Sequence, residues 1–291
     1  MLVALVASLA IAAVALASQG DRHTEPGAPA RPAHTPTPSR AGSAGKPVVP
    51  APSRTPPRPI VRTVVGRGVR GAAIIRRRGV SGPQPAVIFL HGWGLVAPSD
   101  YRRWIRHLAA AGNTVIAPSY QRDEHSRPDR ALPDALAGIR AALRRVEAAP
   151  GTLVVAGHSA GAALATDYAA SARAEGLPRA LAVYAVYPGR AILGYPGGIP
   201  EIPPSRIPAS TRIRALAGAS DTVVGTAPAQ QLVQAASHVP PARRRFVLVE
   251  DPRVDDHYAP TRTGAAARRT FWRPLDRLIA SVRARPTRDP R

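Results

Sequence analysis

Five consecutive residues near the middle of the chain, Gly157-His158-Ser159-Ala160-Gly161, have the types and spacing needed for nucleophilic chemistry. They follow the apolar run TLVVA and lead into an alanine-rich stretch, so the Gly-x-Ser-x-Gly pattern lies between a predicted strand and a predicted helix. A serine in such a strained turn faces the amino terminus of the helix, and the glycines let strand and helix approach closely. The pattern predicts a nucleophilic Ser159; an ordinary glycine-rich turn is the alternative.

A second loop, His91-Gly92-Trp93-Gly94, follows the apolar run AVIFL. With the serine turn, this loop resembles the α/β-hydrolase family, in which an oxyanion-hole loop follows an earlier strand. The resemblance implies that the backbone N–H groups of Ala160 and Trp93 stabilise the negative charge that develops on a carbonyl oxygen. It gives His91 a structural role in bracing the loop.

The same resemblance implies the chain order serine, acid, histidine, each at the end of a strand. The predicted strand RIRALAG is followed by Asp221, and the predicted strand FVLVE is followed by His257. His257 would accept the proton of Ser159 and return it to the leaving group, while Asp221 would orient the imidazole.

Other histidines and carboxylates compete for these roles. Asp255 and Asp256 lie too near His257 along the chain to reach the far nitrogen of its ring, and Asp167 is expected to be a solvated charge on the helix after the serine. His158 is adjacent to the nucleophile, and its side chain should point elsewhere. The remaining histidines fall in the N-terminal region, in or beside helices, or in a charged loop: His23, His34, His107, His125 and His238.

No cofactor or metal is expected. The chain has no cysteine, which excludes a thiol nucleophile, a disulfide scaffold and cysteine-ligated metals. Asp255 and Asp256 precede His257, but the side chains of adjacent residues point in different directions. No second cluster has the spacing of metal ligands. The sequence contains no phosphate-binding G-x-x-x-x-G-K-[ST] loop, and its only lysine is Lys46.

From residue 60 onward, short apolar runs alternate with longer Ala-, Leu- and Arg-rich stretches. Runs such as AVIFL and TLVVA are apolar throughout, as expected of parallel strands covered on both faces. The sequence therefore predicts an α/β fold that the resemblance makes an α/β-hydrolase fold, with a mostly parallel eight-stranded sheet, flanking helices and a minimal cap. Predicted strands are 60–65, 71–76, 86–90, 114–117, 152–156, 180–186, 213–217 and 246–249; predicted helices are 100–111, 133–148, 160–175, 227–237 and 263–282.

Two segments precede the predicted catalytic domain, residues 60–291. Residues 1–17 are uncharged and end in Ala15-Leu16-Ala17, the small-x-small pattern of a cleaved secretory signal. A retained N-terminal anchor is the alternative. Residues 18–59 are rich in proline and predict a disordered tether, with a proline-rich ligand for a partner domain as the alternative. We expect a secreted or extracytoplasmic protein.

The chain carries 40 Lys and Arg against 18 Asp and Glu, a formal net charge of +22. Most of the excess is arginine after residue 60, without the interleaved aromatic residues typical of nucleic-acid grooves. We therefore expect a solvated basic surface that associates with an anionic cell envelope, no nucleic-acid partner, and a monomer.

The segment between the sixth strand and the strand that precedes Asp221 is short and rich in proline and glycine, so no helical cap is expected and the active site should be open. The loop and compact core resemble those of secreted bacterial esterases, including the polyester-cleaving and chlorophyllase-like branch. Trp93 and Tyr120 are candidates to line the substrate pocket, with loop packing as the alternative. The sequence predicts a serine hydrolase of small-molecule, lipid or polymeric esters; a non-catalytic or envelope-binding protein is the alternative.

Overall fold

The computed structural model describes residues 58–94 and 100–283. The predicted signal, residues 1–17, and nearly all of the predicted tether, residues 18–59, lie outside the described residues. None of the helices within 58–94 and 100–283 is both long and apolar enough to cross a bilayer.

Eight strands form one sheet in the order β1-β2-β4-β3-β5-β6-β7-β8. The strands β3 to β8 run parallel to one another, whereas β2 runs antiparallel to both β1 and β4. The strands are β1 (Ile60–Val65), β2 (Ala72–Arg77), β3 (Ala86–Leu90), β4 (Thr114–Pro118), β5 (Val154–His158), β6 (Ala182–Val186), β7 (Arg212–Gly218) and β8 (Arg244–Val249).

Helices cover both faces of the sheet, which explains why its central strands are buried at every position. They are α1 (Arg102–Ala110), α2 (Ala131–Leu143), α3 (Ala160–Ser171), α4 (Ala227–Ala235), α5 (Ala265–Ala267) and α6 (Arg273–Arg283). Helices α2, α3 and α4 pack on one face, and α1 and α6 on the other. In β3, Ile88 contacts the first layer, and its neighbours Val87 and Phe89 contact the second.

The predicted fold class is confirmed, and the predicted helices differ from the observed ones mainly at their ends. Helix α2 stops at Leu143 rather than at residue 148, because Ala148 forms a parallel bridge with Gln84 beside β3. The predicted last helix is divided by a π-helical turn, Arg268–Trp272, before α6. Pro274 lacks the N–H group that a regular helix would use there, and the Tyr184 hydroxyl donates to the nearby Phe271 carbonyl at 3.1 Å.

The segment between β6 and β7 is fully described and contains a single short helical turn, Pro204–Arg206. It carries no cap domain, as the sequence predicts. The carboxyl ends of β3, β5, β7 and β8 are therefore left uncovered by a cap, and in parallel sheets this edge is where ligands bind.

Candidate active site

Ser159 occupies the sharp turn between β5 and α3, with φ of 55° and ψ of −124°. A residue with a side chain rarely adopts a positive φ, so this turn stores backbone strain of a kind that clusters at functional sites. The two glycines are required by close contacts. A Cβ atom on Gly157 would lie 2.1 Å from the Gly161 carbonyl oxygen, and one on Gly161 would lie 2.3 Å from the carbonyl oxygen of Leu90.

Three of the residues singled out from sequence lie together at this edge. The Nε2 atom of His257 is 3.0 Å from the Ser159 hydroxyl, and its Nδ1 atom is 2.8 Å from the Asp221 carboxylate. Because an ionised carboxylate only accepts hydrogen bonds, Nδ1 carries the proton and Nε2 is left to accept the serine proton. This arrangement can move a proton from Ser159 to His257.

The Asp221 carboxylate is held by its own loop. Its Oδ1 atom accepts hydrogen bonds from the backbone N–H groups of Val223 at 2.9 Å and Val224 at 3.0 Å. Burial would raise the pKa of Asp221, but the hydrogen bond from His257 and these two N–H donors outweigh it and hold the pKa below its ordinary value. Asp221 therefore remains an anion facing the imidazole.

The loop after β3 is held by hydrogen bonds to two other segments, the residue before α1 and the loop after β4. The Gly92 N–H donates to the Tyr101 hydroxyl at 3.2 Å, and the Gly94 N–H donates to the Gln121 side chain at 3.1 Å. The Trp93 indole donates to the Glu124 carbonyl at 3.3 Å. Ala160 is the first residue of α3, where N–H groups have no acceptor within the helix.

His91 and Tyr120 form a stacked pair below this loop, with ring centroids 4.1 Å apart. Burial lowers the pKa of His91 to about 4, so its ring is neutral, and the Tyr120 hydroxyl donates to the His91 carbonyl. Tyr120 is 1% exposed and does not line the recess at Ser159. The prediction that Tyr120 contacts substrate is therefore corrected: it supports the loop instead.

His158 points away from Ser159 into the protein. Its Nδ1 atom lies 2.6 Å from the Tyr101 hydroxyl, and its Nε2 atom lies 2.8 Å from the carbonyl oxygen of His257. Burial, aided by the nearby His257, lowers the pKa of His158 to about 3. The ring is therefore neutral at ordinary pH.

The competing carboxylates have other partners. Asp255 accepts a hydrogen bond from Ser220 at 2.8 Å, and Asp256 pairs with Arg262. The prediction that Asp167 is a solvated charge on the helix is wrong. Its side chain is 0% exposed and binds Arg190 through both carboxylate oxygens, at 2.7 and 2.9 Å. Its position on the inner face of α3 leaves it no solvent.

The recess at Ser159 is small, about 130 Å³, and its walls are mixed, with polar groups such as Ser159 and His257 beside apolar side chains. Trp93 and Gly92 form one side, and His257 and Tyr258 form another. Leu193, Val223 and Tyr258 line the recess and are 91%, 58% and 55% exposed. Exposed apolar side chains that cluster around one opening mark a surface that binds something.

Two supporting residues, Tyr101 and Gln121, were missed from sequence. Both lie on segments distant in sequence from Ser159, and neither belongs to a recognisable motif. Only the packing of the sheet brings them beneath the loop after β3.

Comparisons with known proteins agree with this architecture. A family model described as the alpha/beta hydrolase fold matches residues 87–212, a range that includes Ser159 and ends before Asp221. No curated protein matches the chain.

Three solved structures are similar to this chain. One of two esterases from the fungus Rhizomucor miehei is 18% identical, with a TM-score of 0.58, over 78% of this chain and 84% of its own. Esterase 2 of Thermogutta terrifontis, phosphoramylated by tabun, is 18% identical, with a TM-score of 0.58, over 80% of this chain and 98% of its own. Esterase B of Lactobacillus rhamnosis, inhibited by a tributyrin phosphonate, is 14% identical, with a TM-score of 0.54, over 79% and 88%. At such identities the likeness shows the fold alone, and the chain has the α/β-hydrolase fold.

Proposed function

We propose that this α/β-hydrolase-fold chain is a serine hydrolase that cleaves carboxylic esters through an acyl-enzyme. The observation that carries the proposal is the continuous path of hydrogen bonds from Ser159 through His257 to Asp221, with distances of 3.0 and 2.8 Å. The path begins at a strained turn, which orders the nucleophile before any substrate binds.

The reaction follows from the positions of these groups. His257 removes the Ser159 proton as the serine oxygen attacks the ester carbonyl carbon, and the N–H groups of Ala160 and Trp93 receive the resulting oxyanion. The tetrahedral intermediate then expels the alcohol, which takes the proton from His257. A water molecule, deprotonated by His257, next attacks the acyl-enzyme, and the acid product and free Ser159 are released.

Esters are the favoured substrates because the similar structures named above are esterases and because apolar side chains line part of the recess. The open edge, without a cap domain, accommodates small-molecule, lipid or polymeric esters. We also propose export through residues 1–17 and association of the arginine-rich surface with an anionic envelope, on the basis of sequence and charge.

The test is hydrolysis of p-nitrophenyl butyrate by the purified full chain. Wild type should turn over the ester, and Ser159→Ala should lower kcat by at least about 10⁴-fold, the order of loss expected when a triad nucleophile is removed. Ser281→Ala, on α6 across the sheet, is the matched control and should keep wild-type activity. Equal activity of wild type and Ser159→Ala, or none in wild type, would refute the proposal.

A further inference from the structure

A second cavity lies beside the recess at Ser159 and is about three times larger. It encloses about 420 Å³ and is bounded by the middle of α3, the loop after β6 and the exposed side of α4. The recess alone, at about 130 Å³, is smaller than the ~300 to 1,000 Å³ of typical ligand pockets. A substrate of ordinary size must therefore extend beyond the recess.

The two spaces share a wall. Gly189, Ala191, Val223 and Val224 line both of them. A Cβ atom on Gly189 would lie 2.4 Å from a methyl carbon of Val224, so the Val224 side chain rests directly on the Gly189 backbone. The partition between the spaces is therefore one valine side chain thick at this point.

The second cavity offers few unpaired polar groups. Its walls include Ala163, Pro204, Pro228 and Leu232. Among its polar side chains, the Thr166 hydroxyl donates to the Ala162 carbonyl. Arg190, another lining residue, is paired with Asp167 and Glu201. An apolar group suits such a space better than a polar one.

Because one valine side chain separates the two spaces, we propose that the second cavity is a subsite for an apolar chain of the ester, entered from Ser159 past Val224. The inference rests on the proposed function and deepens it, because it names esters with extended apolar chains as the substrate class. Each methylene buried in the subsite is expected to raise kcat/KM by up to about fourfold. The apolar chain of the substrate can belong to the acyl or the alcohol half of the ester.

The test uses two neighbouring glutamines on α4. Gln231 lines the cavity and Gln230 does not, and both are exposed, so Gln231→Trp and Gln230→Trp form a matched pair. In wild type, kcat/KM should rise from short to long chains. Gln231→Trp should lower kcat/KM for an octanoate ester at least tenfold while leaving the acetate ester unchanged, and Gln230→Trp should follow wild type.

Two substrate series show which half of the ester enters: p-nitrophenyl esters from acetate to decanoate, and alkyl acetates from ethyl to decyl. A length dependence altered only by Gln231→Trp supports the subsite in whichever series shows it. If acetate esters are hydrolysed but neither series responds to Gln231→Trp, or both variants respond alike, the subsite is refuted. If wild type does not hydrolyse the acetate esters at all, the proposed function itself is refuted.

A separate set of contacts links the oxyanion loop to the loop of His257. The Gly92 N–H donates to the Tyr101 oxygen at 3.2 Å, Tyr101 contacts His158 at 2.6 Å, and His158 contacts the His257 carbonyl oxygen at 2.8 Å. A carbonyl only accepts, so His158 Nε2 carries the proton and the Tyr101 hydroxyl donates to Nδ1. Every donor in the path therefore has one defined acceptor.

We infer that Tyr101 and His158 are positioning residues that hold the oxyanion loop and His257 at a fixed separation. Both side chains are buried, 1% and 0% exposed, and His158 directly precedes Ser159. The path thus connects all three parts of the proposed reaction centre through two buried side chains. Because the oxyanion donors must be in place before charge develops, a small displacement should lower kcat more than it raises KM.

Tyr101→Phe removes the central hydroxyl and keeps the ring. Tyr168→Phe is the matched control, because Tyr168 is equally buried and donates its hydroxyl to the Pro178 carbonyl at 2.8 Å, near the end of α3 that is opposite Ser159. Tyr101→Phe should lower kcat about tenfold with KM changed less than twofold; Tyr168→Phe should lose comparable thermal stability and keep kcat. Equal effects of the two variants on kcat would overturn the inference.

Discussion

Two clusters around α3 each bury a carboxylate. The cluster proposed to be catalytic consists of Ser159, Asp221 and His257, and the anchoring cluster consists of Asp167, Arg190 and Glu201. Both aspartate side chains are 0% exposed, and both accept three hydrogen bonds. Asp221 accepts one from His257 and two from backbone N–H groups, whereas Asp167 accepts two from Arg190 and one from the Ile202 N–H.

The clusters differ in what their partners can do with a proton. Arg190 offers only hydrogen-bond donors, so the anchoring cluster holds the β6–β7 segment against α3 and accepts no proton. His257 can gain and lose a proton, and it also reaches a hydroxyl. Burial of a carboxylate therefore does not identify the reaction centre; a partner that can release its proton does.

The largest predicted difference between the clusters is in turnover. Asp221→Asn would leave the His257 imidazole in the wrong tautomer or orientation, and kcat for p-nitrophenyl butyrate should fall by about 10⁴-fold. Asp255→Asn, a buried neighbour that does not contact His257, should stay within about threefold of wild type. Comparable losses in both variants would show that Asp221 has no special role.

The anchoring cluster should instead matter for stability. Asp167→Asn leaves Arg190 without its main partner, and the free energy of unfolding should fall by about 2 kcal/mol. This is below the ~3 to 5 kcal/mol of a fully buried pair, because the Arg190 side chain is 24% exposed. Urea denaturation measures the change. A fall in acetate ester kcat beyond about tenfold would contradict the separation of roles.

The smallest predicted effect concerns stability in acid, where the contributions of Asp221 and Asp167 should change in opposite directions. The pKa of Asp221 is lowered, so the unfolded chain takes up this proton first and its contribution to stability is lost as the pH falls. The pKa of Asp167 is raised, since burial outweighs its bonds to Arg190, so the folded protein takes up the proton first and stability rises over that window.

Unfolding curves between pH 6 and 3 can separate these signs. Relative to wild type, Asp221→Asn should lose stability less steeply on acidification, and Asp167→Asn more steeply. Two variants with the same slope would contradict the assigned directions of the two pKa shifts.

Much of this architecture could be predicted from sequence because its signals are local. The serine turn has glycines that the backbone contacts require, and the apolar runs mark central strands. Burial of Asp167 was missed because its partner Arg190 lies on another segment, and Tyr120 was misplaced because its ring stacks on His91. Both depend on tertiary packing, which neither a motif nor a period of hydrophobicity encodes.

The measurement that tests the account most directly is labelling of the full chain with a fluorophosphonate, followed by peptide mass spectrometry. We expect one phosphonyl group per chain, on Ser159, with labelling greatly slowed in Asp221→Asn and unchanged in Asp167→Asn. A folded wild-type protein that remains unlabelled, or that is labelled at another residue, would contradict the assignment of Ser159 as the nucleophile.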